Sequence, residues 1–427
     1  MKQFISLIFL LFACSPAKLD SPCDLSAPSF SNTMIIKSIL GDTSPHCGIS
    51  IPKKSTNLCN LGRDQIIKPE FAQAFLDELN TQASLGETGI PTIDTTSIVV
   101  PGGSFRWSGG VLASNGKIYG IPYNSASVLI IDPSTNTSDA TTITGLGAGG
   151  TKWNGGVLAP NGKIYGIPFA SGSVLIIDPE TNTANTTSIS GLGAGSKWTS
   201  GVLAPNGKIY GIPSDSTSVL IIDPSNNTAN TTTISGLSAS TNKWSRGVLA
   251  PNGKIYGMPY HLSDPVLIID PSTNTADTTT ITGLSGSFLW SNGVLGSNGK
   301  IYGIPNDASN VLIVDPKNNT ANTSTITGLI GSTKWIGGVL GANGKIYGIP
   351  ASSDRVLIID PKSNTSDVTS VTVPVGVNQW NGGILAPNGK IYGIPFSTTL
   401  NSVLIIDPKS KGSLCPAILE SAYLNKF

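Results

Sequence analysis

Residues 153–168 read WNGGVLAPNGKIYGIP, and residues 173–179 continue with SVLIIDP. The apolar runs on either side of Asn161-Gly162 predict two strands joined by a tight turn, because Asn-Gly is the strongest two-residue hairpin signal. SVLIIDP predicts a third strand, and the Thr-rich stretch TANTTSI at 183–189 predicts a fourth. Four short antiparallel strands in about 45 residues describe one blade of a β-propeller.

The same text recurs along the chain, with every tryptophan in register at intervals of 45 or 46 residues. A fixed period of this size indicates a propeller or a solenoid. The seven tryptophans are Trp107, Trp153, Trp198, Trp244, Trp290, Trp335 and Trp380. The sequence therefore predicts an all-β fold, a seven-bladed β-propeller with four-stranded blades. One large aromatic at a fixed blade position is expected to serve as a wedge between blades.

The two ends of the repeat array indicate how the ring closes. The last copy ends at Asp407-Pro408 without a Thr-rich fourth strand, whereas residues 93–98 precede Trp107 with the text and spacing of a fourth strand. We therefore expect an N-terminal strand to close blade seven, with residues 95–100 paired to 402–407. An open solenoid would leave its apolar end faces exposed.

The remaining segments are assigned from composition. Pro69 suits a first helical position, and the apolar residues from Phe71 to Leu79 share one helical face, so a helix is expected to pack on the propeller. The predicted divisions are a signal peptide at 1–13, a tether and small disulfide-braced region at 14–60, a helical segment and linker at 61–92, the propeller at 93–408 and a tail at 409–427.

The first fourteen residues, MKQFISLIFLLFAC, read as an export signal with an apolar run too short to span a bilayer, which needs about 20 residues. The end of this segment resembles a bacterial lipobox, which implies cleavage before Cys14 and acylation of that cysteine. The alternative is an ordinary secretory signal with a free cysteine.

Four further cysteines in an exported chain predict two disulfides. They are Cys23, Cys47, Cys59 and Cys415. Three of them precede the repeats and one follows, so a pairing of all four must join Cys415 to the N-terminal region. The three possible connectivities stay open.

The repeats resemble those of the multi-copy β-propeller lipoproteins of spirochaetes, the leptospiral ones especially. The resemblance covers residues 95–407. It implies a lipid-anchored protein of the bacterial outer membrane with a binding role and no catalytic residue, and it leaves open whether the protein faces the periplasm or the cell surface. The stretch APNGKIYGIP is also similar to the repeats of the seven-bladed streptogramin lyases, a family that uses a histidine-based site.

The charge balance and the residue types of the repeats exclude several classes of function. The 26 basic and 25 acidic residues nearly cancel, so no net field attracts nucleic acid. The repeats hold one histidine, His261, and no cysteine, so no metal cluster or nucleophile motif is expected. The sequence thus favours a monomeric, non-catalytic binding protein without a cofactor. The alternatives are a lyase or hydrolase and a structural component of the envelope.

An aspartate ends each predicted third strand, with a lysine about 15 residues before it, as in Lys163 and Asp178. This spacing places the two side chains opposite each other in neighbouring strands, so they are interpreted as ion pairs of the scaffold. The aspartates are Asp132, Asp178, Asp223, Asp270, Asp315, Asp360 and Asp407.

The copies differ most between the second and third strands, in loops that share one face with the segments leading into each tryptophan. Variable aromatic residues beside a partial ring of cations predict a binding surface there, with the aromatics supplying affinity and the lysines salt dependence. The candidates are Tyr123, Phe169, Tyr260, His261 and Phe396, with Arg106, Lys152, Lys197, Lys243, Arg246 and Lys334.

Overall fold

The computed structural model describes residues 57–425 except 104, 262, 263, 285, 287, 398 and 399. The predicted signal peptide, Cys14, Cys23 and Cys47 lie outside the described residues. Within the described part of the chain, no helix combines the length and apolar character needed to cross a membrane.

Seven separate antiparallel sheets of four strands each form the blades of a ring. In blades one to six the strands follow chain order, and the Asn-Gly turns join the first two strands. The predicted seven-bladed propeller is confirmed.

The strands of the first four blades have nearly constant lengths. Blade one consists of β2 Trp107–Leu112, β3 Ile118–Pro122, β4 Leu129–Asp132 and β5 Thr137–Asp139. Blade two consists of β6 Trp153–Leu158, β7 Ile164–Pro168, β8 Leu175–Asp178 and β9 Thr183–Asn185. Blade three consists of β10 Trp198–Leu203, β11 Ile209–Pro213, β12 Leu220–Asp223 and β13 Thr228–Asn230. Blade four consists of β14 Trp244–Leu249, β15 Ile255–Pro259, β16 Leu267–Asp270 and β17 Thr275–Asp277.

The last three blades repeat this arrangement, and β1 Thr92–Asp94 joins blade seven. Blade five consists of β18 Trp290–Leu295, β19 Ile301–Pro305, β20 Leu312–Asp315 and β21 Thr320–Asn322. Blade six consists of β22 Trp335–Leu340, β23 Ile346–Pro350, β24 Leu357–Asp360 and β25 Thr365–Asp367. Blade seven consists of β26 Trp380–Leu385, β27 Ile391–Pro395, β28 Leu404–Asp407 and β1.

The fourth strands are shorter than predicted, because the Thr-rich text mainly forms a turn. In blade two the strand ends at Asn185, whose side-chain oxygen accepts hydrogen bonds from the backbone N–H groups of Thr187 and Ser188, both at 2.9 Å. Such local side-chain bonds compete with the strand ladder. In blade one Asp139 holds the same position, and the hydrogen bond from the Thr142 hydroxyl is the main cause that lowers the pKa of Asp139 to about 2.

The ring closes through the N-terminal strand, as expected, but in a different register. β1 pairs with β28 through Thr92 opposite Asp407 and Asp94 opposite Ile405. The predicted segment 95–100 adds only hydrogen bonds at its end, such as Val403 N–H to the carbonyl of Ile98 at 3.0 Å. The shift follows from Asp94, which caps a turn through residues 96 and 97 and so ends the ladder.

Glycines let the inner strands of neighbouring blades pack closely. A Cβ on Gly201 of blade three would lie 2.6 Å from Cδ1 of Ile167 in blade two. At the closure of the ring, a Cβ on Gly110 of blade one would lie 2.8 Å from Cδ1 of Ile394 in blade seven. Trp153 shares a core cluster with Ile121 of blade one, which agrees with the expected wedge between blades, and its indole N–H donates to the carbonyl of Ser173 at 2.7 Å.

The face that carries the Asn-Gly turns, here called the hairpin face, has hydrogen bonds between blades. The hydroxyl of Tyr119 in blade one donates to the side-chain oxygen of Asn182 in blade two at 2.8 Å. Five further pairs repeat this bond, and one of them joins blade seven to blade one through Tyr392 and Asn136 at 3.0 Å.

Five of the predicted cross-strand ion pairs form, at nitrogen to oxygen distances of 3.0–3.8 Å. The two exceptions involve residues outside the repeats. The ammonium of Lys345 pairs with Glu87 at 2.8 Å, and Asp407 pairs with Lys409 at 2.8 Å. Segments flanking the propeller therefore replace the repeat partner in blades six and seven.

The N-terminal and C-terminal segments lie on the hairpin face. Their helices are a 3-10 turn at Leu58–Asn60, α1 Arg63–Ile66, a 3-10 turn at Pro69–Phe71, α2 Ala72–Ser84 and α3 Pro416–Leu419. In α2 the amide of Asn80 donates to the carbonyl of Ser297 at 3.1 Å, and at the other end of the chain the side-chain oxygen of Asn425 accepts from Leu112 N–H at 2.9 Å. The helix predicted after Pro69 is present, and it covers this face.

A disulfide between Cys59 and Cys415 joins the two segments. This bond confirms the expectation that Cys415 pairs with the N-terminal region. Beside it, the guanidinium of Arg63 forms an ion pair with Glu420 at 2.9 Å. The ring of Phe75 stacks at a tilt on Tyr423, with 4.5 Å between the ring centres.

Candidate functional site: the loop face

The loop face is defined here as the surface opposite the hairpin face. It is formed by the loops between second and third strands and by the segments leading into each first strand. Trp107 pairs with Pro122 across one hairpin, so the start of a first strand and the end of a second strand lie on the same side. The described terminal segments lie on the other side.

Three predicted aromatic residues come together on the loop face at blades seven, one and two. The ring of Tyr123 lies 5.8 Å from Phe396 and 6.0 Å from Phe169, between ring centres. Phe105 joins them, 4.9 Å from Phe396. These four residues are called the blade-one cluster. Tyr123 and Phe169 are half-buried, and Phe396 is only 9% exposed, so Phe396 supports the cluster from below.

The other predicted aromatic residues form a second group at blades four and five. The ring of Phe288 lies 5.3 Å from Tyr260 and 5.8 Å from His261. These three residues are called the blade-four cluster. The hydroxyl of Tyr260 accepts a hydrogen bond from the amide of Asn306 at 3.0 Å, which fixes the ring. Burial raises the pKa of Tyr260, so this hydroxyl stays neutral.

Sequence reasoning missed Phe105 and Phe288, each located two residues before a tryptophan. Both are more exposed than most large apolar residues of the chain, at 42% and 41%. Both also have left-handed backbone, with φ of 48° and 51°, which bulky residues rarely adopt. Blades two and six carry Thr151 and Thr333 at this position, with φ of 46° and 49°, and blades four and seven carry Asn242 and Asn378, with φ of 53° and 48°. The left-handed backbone is therefore a feature of the repeat, and the two phenylalanines are distinguished by their exposure.

The lysines do not form the predicted ring of surface cations. Their ammonium groups turn inward and donate to main-chain carbonyls of the preceding blade, as the ammonium of Lys334 does to Asn306 at 2.8 Å and to Ala308 at 3.0 Å. The four lysines in this arrangement are Lys152, Lys197, Lys243 and Lys334. Lys243 and Lys334 are 0% and 3% exposed. These lysines brace the loops and are poorly placed to set the salt dependence of binding.

Arg246 lies inside the ring and not on its rim. Its guanidinium reaches from blade four to blade seven, where it donates to the side-chain oxygen of Asn381 at 2.6 Å. Because these blades stand on opposite sides of the ring, Arg246 crosses the central channel. Burial lowers its pKa to about 9.

Arg106 lies at the edge of the blade-one cluster. Its backbone carbonyl accepts hydrogen bonds from the N–H groups of Tyr123 at 2.8 Å and Ser125 at 3.1 Å, which fixes the adjoining loop. Its guanidinium carbon lies 4.9 Å from the centre of the Trp107 ring. The side chain is 5% exposed, and burial lowers its pKa to about 10.

Among the described residues, no group of three or more His, Cys, Asp or Glu side chains is arranged to hold a metal ion. The channel wall is instead built from small polar residues that bond to neighbouring blades. The hydroxyl of Ser108 donates to Asn154 at 2.6 Å, and that of Ser245 donates to the carbonyl of Trp290 at 2.8 Å.

No family model and no curated protein matches the chain. Solved structures with a similar fold include virginiamycin B lyase from Staphylococcus aureus, with a TM-score of 0.57, 8% identity, and coverage of 74% of this chain and 99% of the lyase. Hydrazine synthase from Kuenenia stuttgartiensis has a TM-score of 0.55, 15% identity, and coverage of 72% and 95%. The extracellular domain of a putative hybrid two-component system from B. thetaiotaomicron has a TM-score of 0.57, 12% identity, and coverage of 77% and 44%. These likenesses show the β-propeller fold.

Proposed function

We propose that this protein is a non-catalytic binding propeller, anchored by a lipid at Cys14 to the outer membrane, whose loop face binds a protein, glycan or other anionic ligand. The observation that carries the proposal is the pair of exposed phenylalanines, Phe105 and Phe288, one in each aromatic cluster of the loop face. Aromatic side chains on an open face are the usual anchors of binding.

The location of the terminal segments supports this choice of face. The N-terminal helices and the C-terminal segment, tied by Cys59 and Cys415, occupy the hairpin face. A ligand would therefore meet the loop face, where the repeats differ most. The fold likeness to an extracellular domain of a two-component system agrees with a role outside the cytoplasm.

The proposal is tested by probing the mature, lipid-free chain on arrays of glycans and host proteins. The double variant Phe105→Asn and Phe288→Asn introduces the residue that blades four and seven carry, so we expect it to fold normally. Its affinity for the ligand found should fall at least 10-fold. Lys163→Met, on the hairpin face, is the matched control and should bind as the wild type does. Unchanged binding by the double variant would reject the loop face.

Lipid anchoring needs its own test, because it rests on the sequence of the first fourteen residues. Metabolic labelling with a palmitate analogue should mark the wild-type protein and miss Cys14→Ser. Equal labelling of both proteins would refute acylation at Cys14.

A lyase is the second candidate function, favoured by the fold likeness to virginiamycin B lyase and by His261 in the blade-four cluster. Replacing His261 with alanine separates the two candidates. A lyase with a histidine-based site would lose any turnover, whereas a binding propeller would keep its affinity within about 3-fold.

A further inference from the structure

The large apolar side chains that stand in solvent are concentrated on one side of the loop face. Among the described residues eight such side chains are exposed, and six of them lie in the segments that lead into the first strands of blades five, six, seven and one. These blades are consecutive in the ring. The corresponding segments of blades two, three and four carry none. The six residues, here called the apolar arc, are Phe288, Ile330, Val375, Val377, Val99 and Phe105.

Two aliphatic members of the arc are the most exposed large apolar residues of the described chain. Ile330 is 87% exposed and Val375 is 85% exposed, so little of the protein touches either side chain. In the same two segments Leu329 and Val373 are buried, which holds the backbone beside the exposed residues in place. The arc therefore presents separate aliphatic side chains that stand out from ordered loops.

The segments of the arc carry no exposed charge. They span residues 281–289, 326–334, 371–379 and 99–106, and their only charged residues, Lys334 and Arg106, are both buried. In the adjacent loop of blade six, Asp354 and Arg355 form an ion pair at 3.5 Å. An uncharged surface with protruding aliphatic side chains suits a hydrocarbon environment, and its binding should depend little on charged lipids.

A fluid occupant fits these side chains better than a folded partner does. Protein interfaces pack as densely as protein interiors, so a rigid partner would need a matching pocket for each separate side chain of the arc. The acyl chains of a bilayer instead close around each side chain independently. The tyrosines of the two aromatic clusters, Tyr123 and Tyr260, suit the level of the lipid headgroups, where tyrosine is enriched.

The proposed lipid anchor brings a bilayer within reach of the arc. Residues 15–56 separate Cys14 from Asn57, where the described chain begins, and these 42 residues can extend to about 140 Å. The described terminal segments occupy the hairpin face, as the bonds of Asn80 and Asn425 show. The loop face is thus the face that the described terminal segments leave open to a bilayer.

We infer that the apolar arc docks on the phospholipid bilayer that carries the Cys14 anchor, with Ile330, Val375 and Val377 inserted among the acyl chains. This inference rests on the proposed function, because the lipid anchor supplies the bilayer. It goes beyond that function by making a lipid surface a partner of the loop face.

The first test mixes the mature, lipid-free chain with an excess of phosphatidylcholine vesicles and measures co-sedimentation. We expect the wild type to bind. The triple variant Ile330→Thr, Val375→Thr and Val377→Thr keeps branched side chains but adds hydroxyl groups that oppose entry into hydrocarbon, so it should bind at least 10-fold more weakly. No binding of the wild type, or equal binding of the triple variant, would overturn the inference.

Two comparisons accompany this test. The matched control, Leu85→Thr with Ile90→Thr, changes exposed apolar residues outside the arc and should bind within about 2-fold of the wild type. Vesicles that also contain phosphatidylglycerol should bind the wild type no more than about 3-fold more tightly, because the arc segments expose no cation. A control that binds as weakly as the triple variant, or binding that requires phosphatidylglycerol, would overturn docking through the arc.

The second test examines the lipidated chain in phosphatidylcholine vesicles by hydrogen exchange. The backbone of residues 326–333 and 371–378 should exchange at least 3-fold more slowly than in the lipid-free chain without vesicles, and the triple variant should lose this protection. Absence of protection in the wild type would overturn docking on the bilayer that carries the anchor. A wild-type dimer that the triple variant abolishes would assign the arc to a second copy of the chain and would also overturn the inference.

The outcomes separate this inference from the proposed function. If the Phe105 and Phe288 variant loses an array ligand while vesicles never bind the wild type, the proposed function survives and the inference fails. If vesicles bind the wild type and not the triple variant while the arrays yield no ligand, the inference stands and a glycan or protein ligand of the loop face is rejected.

Discussion

Replacing Lys334 with methionine tests whether the lysines of the loop face brace the fold. Methionine keeps most of the apolar stem and removes the ammonium. The carbonyl of Asn306 keeps a donor, the backbone N–H of Lys334 at 3.1 Å, whereas the buried carbonyl of Ala308 loses the ammonium. An unsatisfied buried carbonyl costs about 1–3 kcal/mol. The ammonium also lies 5.8 Å from the centre of the Trp335 ring, a contact that contributes about 1 kcal/mol.

We therefore expect Lys334→Met to lower the free energy of unfolding by roughly 2–4 kcal/mol. Equilibrium unfolding in urea, followed by both circular dichroism and tryptophan fluorescence, measures this loss. The control is Lys163→Met, which removes an exposed ion pair with Asp178 and should cost about 0.2–1 kcal/mol. A loss below about 0.5 kcal/mol for Lys334→Met would refute the bracing role and return this lysine to the list of ligand-binding cations.

Three further outcomes follow from the scaffold. Gly201→Ala should destabilise the ring by about 1–3 kcal/mol, since its Cβ would overlap blade two, while Gly89→Ala, with open space around it, should change stability by less than about 0.5 kcal/mol in the same urea assay. Because the folded protein lowers the pKa of Asp139 to about 2, the ionised carboxylate contributes stability that is present above the unfolded pKa near 3.8 and is lost as the pH falls towards about 2. Asp139→Asn, which copies Asn185, should therefore weaken the dependence of the unfolding midpoint on pH between these two values. Cys59→Ser should cost about 2–5 kcal/mol and reduce the shift of the unfolding midpoint that dithiothreitol causes; a shift as large as in the wild type would contradict this.

Local signals in the sequence were sufficient for the architecture. Asn161-Gly162 fixes a hairpin by backbone preference, and the tryptophan period counts the blades, so both features are independent of distant contacts. The predicted fourth strand is longer than the observed one because the side-chain oxygens of Asn185 and Asp94 accept hydrogen bonds from backbone N–H groups two residues later, which sequence propensity alone does not weigh.

The candidate site was less predictable because its decisive features depend on tertiary contacts. The acceptors of Lys334 are main-chain carbonyls in a loop of another blade. Because every residue type carries such a carbonyl, the sequence does not reveal these acceptors. Phe105 and Phe288 become notable only through their exposure and their contacts with other aromatic rings. The one available signal was that this position, two residues before each tryptophan, holds phenylalanine in two copies and small polar residues in the other five.

The closing strand also bears on how such a chain can change in length. Because β1 and β28 lie at opposite ends of the array, recombination between nearly identical copies can add or remove one unit of 45 or 46 residues and keep both halves of the closure. The first and last strands of the array would still be able to pair. Whether they meet depends on the angle between adjacent blades, which is set by contacts such as that of Gly110 with Ile394. The tight glycine contacts of the inner strands thus fix the number of blades. A chain with a different number of copies must strain every one of these interfaces or leave two apolar blade faces exposed.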